Sequence, residues 1–222
     1  MTVADKTEVV EGYHNDVRSD IAPYIVHRGG RLLDVGGGTG ATAAYLKSQG
    51  LASQVGVVDQ VASADATDGI DFHHSGDLED LDFLDSVLAA EGPFETILCL
   101  DILEHLVDPW AVVAHLHRAL APGGHIIASI PNVRHYRVSG GLFFGGRWDL
   151  ADAGILDRTH LRFFVKETAV ELMTSSGLTL ELVDTPPRMR HPKLAAALHK
   201  VFRGRLDAMV AVDYVVRVRV SS

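Results

Sequence analysis

The sequence predicts a doubly wound α/β fold, a Rossmann-like seven-stranded sheet that is mostly parallel with an antiparallel last strand. Three observations predict it. Short runs rich in β-formers alternate with segments of helical periodicity through the first 130 residues. The first run ends in Gly36-Gly37-Gly38-Thr39-Gly40, a glycine turn set between a strand and a helix. The last run alternates, with Val212, Tyr214, Val216, Val218 and Val220 on one side and Asp213, Arg217 and Arg219 on the other, as a half-buried antiparallel strand does.

In chain order, 31–35 reads as a strand and 41–49 as a helix, followed by strands at 54–58 and 70–74. Residues 81–90 read as a helix with Leu81, Leu84, Leu88 and Ala89 on one face. Residues 94–100 form the fourth strand, and 109–120 a helix carrying Val112, Val113, Leu116 and Leu120. The breaker cluster Ala121-Pro122-Gly123-Gly124 stops that helix before a strand at 125–130. The rhythm then breaks. Residues 132–164, with Gly140, Gly141, Gly145 and Gly146 and with Tyr136, Phe143, Phe144 and Trp148, are too long for a plain connection and read as a lid or acceptor wall. A helix at 166–176 and a strand at 178–183 follow. A second insertion, 185–208, places Leu194, Leu198, Val201 and Phe202 on one helical face beside several basic residues. The last strand covers 211–220.

The chain has 222 residues, of which 47% are hydrophobic, and these are expected to form one domain over 1–222 with a full core. Its one cysteine, Cys99, cannot form an internal disulfide. No apolar run reaches the ~18 residues of a membrane span, and the polar N-terminus lacks a signal-peptide core. The expectation is a cytoplasmic protein. The net charge of −9 argues against a nucleic-acid partner, but it is uneven. Residues 1–150 carry 21 acidic and 9 basic side chains (−12), whereas 151–222 carry 8 and 11 (+3). The basic excess gathers at Arg188, Arg190, Lys193, Lys200, Arg203 and Arg205, which suits a contact surface such as a homodimer face or a wall of the acceptor site.

The glycine turn fits two cofactor classes. Gly36, Gly38 and Ala41 fit a dinucleotide fingerprint with Asp59 at ribose distance. Asp34, Gly36, Gly38 and Gly40 fit a methyl-donor loop equally well, so the glycines do not decide. Three other features favour the donor S-adenosylmethionine over NAD. Asp34 at the strand end needs a cationic partner, which the donor's ammonium supplies and a pyrophosphate does not. Asp77 and Leu78 after the third strand suit an adenine amine and ring. The reversed last strand is not required by an ordinary dinucleotide sheet.

With these motifs in order (LLDVGGGTG, VGVVD, GDLED, ILCLDILEHLVDPW, LAPGGHIIASIPNV and the final strand), the chain resembles class I S-adenosylmethionine-dependent methyltransferases. The string GRWDLADAGILDRTHLRFF resembles bacterial methyltransferases associated with glycan and polysaccharide synthesis. The resemblance implies Gly36, Gly38 and Gly40 at the donor, Asp59 on the ribose, Asp77 and Leu78 at adenine, and Asp101 at the methionine end. Helix N-capping is the other role open to Asp59 and Asp77. Gly37 stands where many relatives carry Cys, a difference expected to leave binding unaltered.

Methyl transfer to a hydroxyl needs alignment of donor and acceptor and removal of a proton, by a base or with help from a metal. If a helix opens after the fourth strand, Asp101, Glu104 and His105 share one face, where carboxylates and an imidazole form a candidate divalent-metal site, Mg2+ being the expected ion. The spacing is similar to E-x-x-E-H in small-RNA 2′-O-methyltransferases and to a related site in quinone-biosynthesis O-methyltransferases, although the first position here is Asp; the resemblance implies a later histidine as a further ligand, for which His160 is the candidate. Alternatively His160 is the base and Asp157 its orienter, with His105 nearby. The expected activity is O-methylation of a saccharide or glycan precursor. A small natural product, quinone or lipid acceptor is one alternative, and an NAD(P)-dependent oxidoreductase is the other.

Overall fold

A computed structural model describes residues 17–184, 200 and 209–220. The seven strands are β1 (Gly30–Val35), β2 (Ala52–Asp59), β3 (Phe72–Ser75), β4 (Phe94–Leu100), β5 (Leu120–Pro131), β6 (Thr179–Asp184) and β7 (Asp213–Arg219). The helices are α1 (Ala41–Ser48), α2 (Leu81–Glu91), α3 (Pro109–Arg118), α4 (Tyr136–Gly145) and α5 (Lys166–Thr174). The sheet order is β3-β2-β1-β4-β5-β7-β6. The first five strands run parallel, and β7 is antiparallel to both neighbours, pairing Ala128 with Val216 on one side and Val183 with Val216 on the other. Fold class and reversed last strand are as the sequence predicts.

Side-chain alternation explains why both faces of the sheet are covered. Leu33, Val35, Ile97, Cys99, Ile126, Ala128, Val216 and Val218 point to one face, where Leu84, Leu88, Val112, Leu116, Leu172 and Met173 of α2, α3 and α5 meet them. Leu32, Val55, Val57, Leu98, Ile127 and Val215 point to the other, against Ala43 and Leu46 of α1 and Ile21 and Tyr24 of the Ser19–Tyr24 turn. The helices start where local chemistry satisfies their free N–H groups. Asp80 accepts from Phe83 N at the head of α2, and Asp108 accepts from Ala111 N at the head of α3, with Pro109 as first helical residue.

Three elements differ from the sequence reading. α3 ends at Arg118, and β5 starts at Leu120, before the breaker cluster. Phe94 pairs with Leu120 and Thr96 with His125, so 121–124 form a bulge inside a longer strand, with Gly123 at φ 75. No α-helix opens at Asp101, directly after β4. Leu103–His105 make a single 3-10 turn after Asp101, whose φ is 53. The 132–164 segment contains α4, and its ends are tied by a bridge between Asn132 and Phe164. The predicted amphipathic face within 185–208, with its basic residues other than Lys200, lies outside the described residues. None of the described helices is long and apolar enough to cross a membrane.

Candidate active site

The strand order reverses between β1 and β4, which opens a crevice at their carboxyl ends, where doubly wound sheets bind ligands. β1 delivers the glycine turn to one lip. Gly36, Gly38 and Gly40 take φ of 72, 58 and 89, values that exact a penalty from any residue with a Cβ. Gly40 then starts α1 with backbone N–H groups facing the crevice end. A Cβ at Gly36 would lie 2.5 Å from Ile102 Cγ1, so the glycine loop and the turn after β4 are in direct contact.

Asp34 is 2% exposed. Burial, and secondarily the charge of Asp59, push its carboxyl up to about 7, against the opposing pull of Arg18. Its carboxyl occupies the space a side chain at Gly37 would need, since a Cβ there would come within 2.6 Å of Asp34 Cγ. A Cys at this position would therefore require the Asp34 side chain to shift. Asp59 accepts from Gly38 N at 2.9 Å and from Val61 N at 2.9 Å, bracing the glycine loop rather than capping a helix. His73 Nε2 donates to Gly38 O at 3.0 Å, a second brace that the sequence did not single out. Asp77 is exposed and accepts from Glu79 N, while Asp80 is the cap of α2, which removes the capping role for Asp77. Leu78 is buried in the core beneath this loop.

Asp101 follows β4 in the left-handed region and is held there by two partners. Ser129 Oγ donates to its Oδ1 at 2.5 Å, and Arg18 Nη1 donates to Oδ2. Arg18 also meets Asp20 and lies 3.7 Å from Asp213. Its guanidinium is buried, and although desolvation opposes its charge, Asp101 and Asp20 raise its pKa overall. Neither Arg18 nor Ser129 is legible as a site residue in the sequence, because both contacts span more than 25 positions.

Glu104, His105 and His160 converge. One ligand atom of each lies within 4.8 Å of the others, and the two imidazoles meet edge-on at 4.6 Å between centroids. Asp101 is not in this group, because the turn replaces the helix that would have put it on their face. Glu104 is 1% exposed, and among the described residues neither of its carboxylate oxygens has a hydrogen-bond partner. Burial first, then the charge of Asp101, raise its pKa well above the usual range. His160 Nδ1 donates to Ile155 O at 3.1 Å, and its Nε2 stands 3.9 Å from Glu104 Oε1. Asp157 does not orient His160. Its Oδ1 accepts from Thr159 N at 2.8 Å and from Thr159 Oγ1 at 2.7 Å, and that hydroxyl meets His105 Nδ1 at 3.1 Å. The backbone of 161–162 closes the cluster, with both N–H groups donating to Glu104 O.

The aromatic residues of the insertion part company. Trp148 packs on Phe163 at 5.1 Å, and Phe163 lies 6.4 Å from His160, so this pair flanks the cluster. Phe143 and Phe144 are more than four-fifths exposed on α4 and, with Leu142 and Met209, line a separate cavity of about 450 Å³. Trp110, the second residue of α3, lies under the Arg162 guanidinium. His115 and His117 bind Asp85 and the Ser176 carbonyl, away from the cluster.

A glycine turn after β1, an acidic end to β2, and a sheet closed by an antiparallel β7 define the class I S-adenosylmethionine-dependent methyltransferase domain. The chain belongs to the methyltransferase-domain family, whose profile matches residues 10–183. This membership overturns the NAD(P)-dependent oxidoreductase alternative. A ubiquinone biosynthesis O-methyltransferase of Xylella fastidiosa is 31% identical over 121 residues, covering 53% of this chain and 49% of that protein. The protein of the same name from Thiobacillus denitrificans is 32% identical over 107 residues, 47% of this chain and 45% of that one. The chain thus spans about half the length of these curated relatives. Among solved structures, the 1,6-didemethyltoxoflavin-N1-methyltransferase of Burkholderia thailandensis, with its substrate and S-adenosylhomocysteine bound, superposes with a TM-score of 0.59 at 20% identity, covering 97% of this chain and 87% of that one. An S-adenosylmethionine-dependent methyltransferase of Mesorhizobium loti superposes with a TM-score of 0.56 at 17% identity, over 91% and 99%. At these identities the likeness establishes the fold.

Proposed function

We propose that the protein transfers a methyl group from S-adenosylmethionine to a hydroxyl of a small molecule of the quinone-precursor or natural-product class. The observation that carries this reading is the Glu104–His105–His160 cluster, set on a turn that touches the donor loop through Ile102 and Gly36. The curated relatives named ubiquinone biosynthesis O-methyltransferases support this acceptor class over the saccharide that the glycan-associated string suggests. The saccharide reading keeps one supporting feature, the Trp148–Phe163 pair beside His160, whose faces suit a sugar ring.

On this reading Gly36, Gly38 and Gly40 hold the donor, with Asp59 at its ribose, Asp77 and Leu78 at adenine, and Asp34 and Asp101 toward its methionine end. The S–CH3 bond breaks as the O–CH3 bond forms in line, S-adenosylhomocysteine leaves as the neutral thioether, and the acceptor hydroxyl gives its proton to water. The cluster fits a divalent ion, because Glu104 presents two buried oxygens without partners beside two imidazoles. Two nitrogens and a carboxylate suit Mn2+, Co2+ or Zn2+ better than the Mg2+ expected from the sequence. A bound ion of this kind lowers the pKa of an adjacent hydroxyl. The chain's own part is to hold the acceptor oxygen between His160 and the glycine loop, with Phe163 and Trp148 excluding water on one side.

The test is transfer of labelled methyl to a panel of polyphenols and of sugars, with and without EDTA. Methylation of a phenolic hydroxyl that EDTA abolishes and Mn2+ restores is expected. Transfer to sugars alone overturns the acceptor class. Full activity after chelation removes the ion and leaves His160 as base, which His160→Ala then checks by losing turnover at unchanged S-adenosylhomocysteine affinity.

A further inference from the structure

We propose that Thr159, braced by Asp157, is a positioning residue that fixes His105 in the Nδ1–H tautomer, leaving Nε2 as its nitrogen with a free lone pair. The argument is a count of protons. A threonine hydroxyl carries one proton, and an ionised carboxylate can only accept. The Thr159 Oγ1 to Asp157 Oδ1 separation of 2.7 Å places that proton between them. The hydroxyl oxygen therefore turns a lone pair toward His105 Nδ1 at 3.1 Å, and only Nδ1–H can complete that bond.

The flanking charges agree with the count. Burial works to raise the Asp157 carboxyl, but the two hydrogen bonds from Thr159 hold it below the ordinary carboxylate range, so it stays an acceptor. Desolvation, then the neighbouring His160, lower the His105 pKa, and the contact with the Thr159 oxygen calls for a proton on Nδ1 in either protonation state of the ring. His160 is fixed in the same sense by a different acceptor, since the Ile155 carbonyl can only accept and Nδ1 of His160 donates to it. Both imidazoles therefore keep their protons on the nitrogen turned to fixed acceptors. Outer groups of this kind set ligand tautomers in metal sites. The sequence paired Asp157 with His160, but the structure pairs it with His105 through one intervening side chain.

This inference rests on the ion-binding reading above, so two separate readouts are needed. The first needs no ion: long-range 15N–1H NMR of histidine-labelled, metal-free protein reports each ring's tautomer. Wild type is expected to show His105 as Nδ1–H. Thr159→Val, which keeps the shape of an exposed side chain and removes the hydroxyl, is expected to shift His105 toward a mixture or toward Nε2–H. Thr159→Ser is expected to restore Nδ1–H, and His160 is expected to remain unchanged throughout. A wild-type His105 in the Nε2–H form, or a Thr159→Val tautomer identical to wild type, overturns the proposal. The second readout is Mn2+ affinity by calorimetry. Thr159→Val is expected to bind about 10–100-fold more weakly, with Thr159→Ser close to wild type and S-adenosylhomocysteine affinity the same in all three. Equal Mn2+ affinity in wild type and Thr159→Val also overturns the proposal. Failure of wild type to bind Mn2+ defeats the ion-binding reading alone, and the tautomer measurement still decides the role of Thr159.

Discussion

At the scale of single residues, the buried carboxyl of Asp34 has a measurable signature. Its pKa, raised to about 7 by burial and by Asp59, means that the folded protein keeps a proton the unfolded chain releases near 4. The stability this contributes is fully present below pH ~4 and is lost as pH rises through ~7, an effect on the order of 4 kcal/mol if the whole shift is expressed. Asp34→Asn removes that slope. The variant is therefore expected to gain on wild type between pH 4 and 8 in urea denaturation, and parallel curves would refute the assignment. The proposed pairing of Asp34 with the donor's ammonium requires the ionised form, so S-adenosylhomocysteine affinity is expected to rise through the same window in wild type only. The need of Asp34 for a cationic partner is legible in the sequence, because a carboxylate at the end of an apolar run is costly wherever it is buried. Arg18, which lowers that cost and clamps Asp101, is not legible, because nothing local marks an arginine 83 positions away.

At the scale of elements, periodicity and caps are local and can be read directly. Asp108-Pro109 before Val112, Val113 and Leu116 predicts α3, and the structure places Asp108 at its cap, accepting from Ala111 N at 3.1 Å. The turn before it is not legible, because its shape is set by distant groups. Glu79 accepts from Val107 N at 2.7 Å and Asp108 N at 3.1 Å, and Glu104 O accepts from the backbone of 161–162, so the chain after β4 is held open instead of winding into a helix. That difference moves Asp101 out of the cluster and Glu104 into the core. The cap is the easier part to test. Asp108→Ala is expected to destabilise the protein by about 1 kcal/mol, and Asp108→Asn or Ser by a few tenths, measured as the urea midpoint. A loss in the Asn variant equal to that in Ala would mean that the carboxyl acts by charge on the neighbouring loop and not as a cap.

At the scale of the whole molecule, the alternation of strands and helices predicts the parallel half of the sheet, and the alternating valines predict its reversed end. What the order of elements does not specify is which ligand the switch point prefers, because glycine turns after β1 serve more than one cofactor. The charge around this crevice decides it. Asp34, Asp59 and Asp101 crowd the lip, and among the described residues the one guanidinium that meets Asp101 is already engaged. A ligand with an ammonium group is favoured there, and one with a pyrophosphate is repelled. Linkage turns this into a measurement. A ligand at a hundredfold its Kd that binds only the folded state adds about 2.7 kcal/mol, and for a chain of this size that is a rise of roughly 5–10 °C in Tm. S-adenosylhomocysteine is expected to give that rise, and NAD at equal concentration none. Asp59→Ala, which removes the brace on Gly38 N along with the proposed ribose acceptor, is expected to lose most of the rise. A shift produced by NAD, or one that survives intact in Asp59→Ala, would show that the acidic lip does not select the ligand.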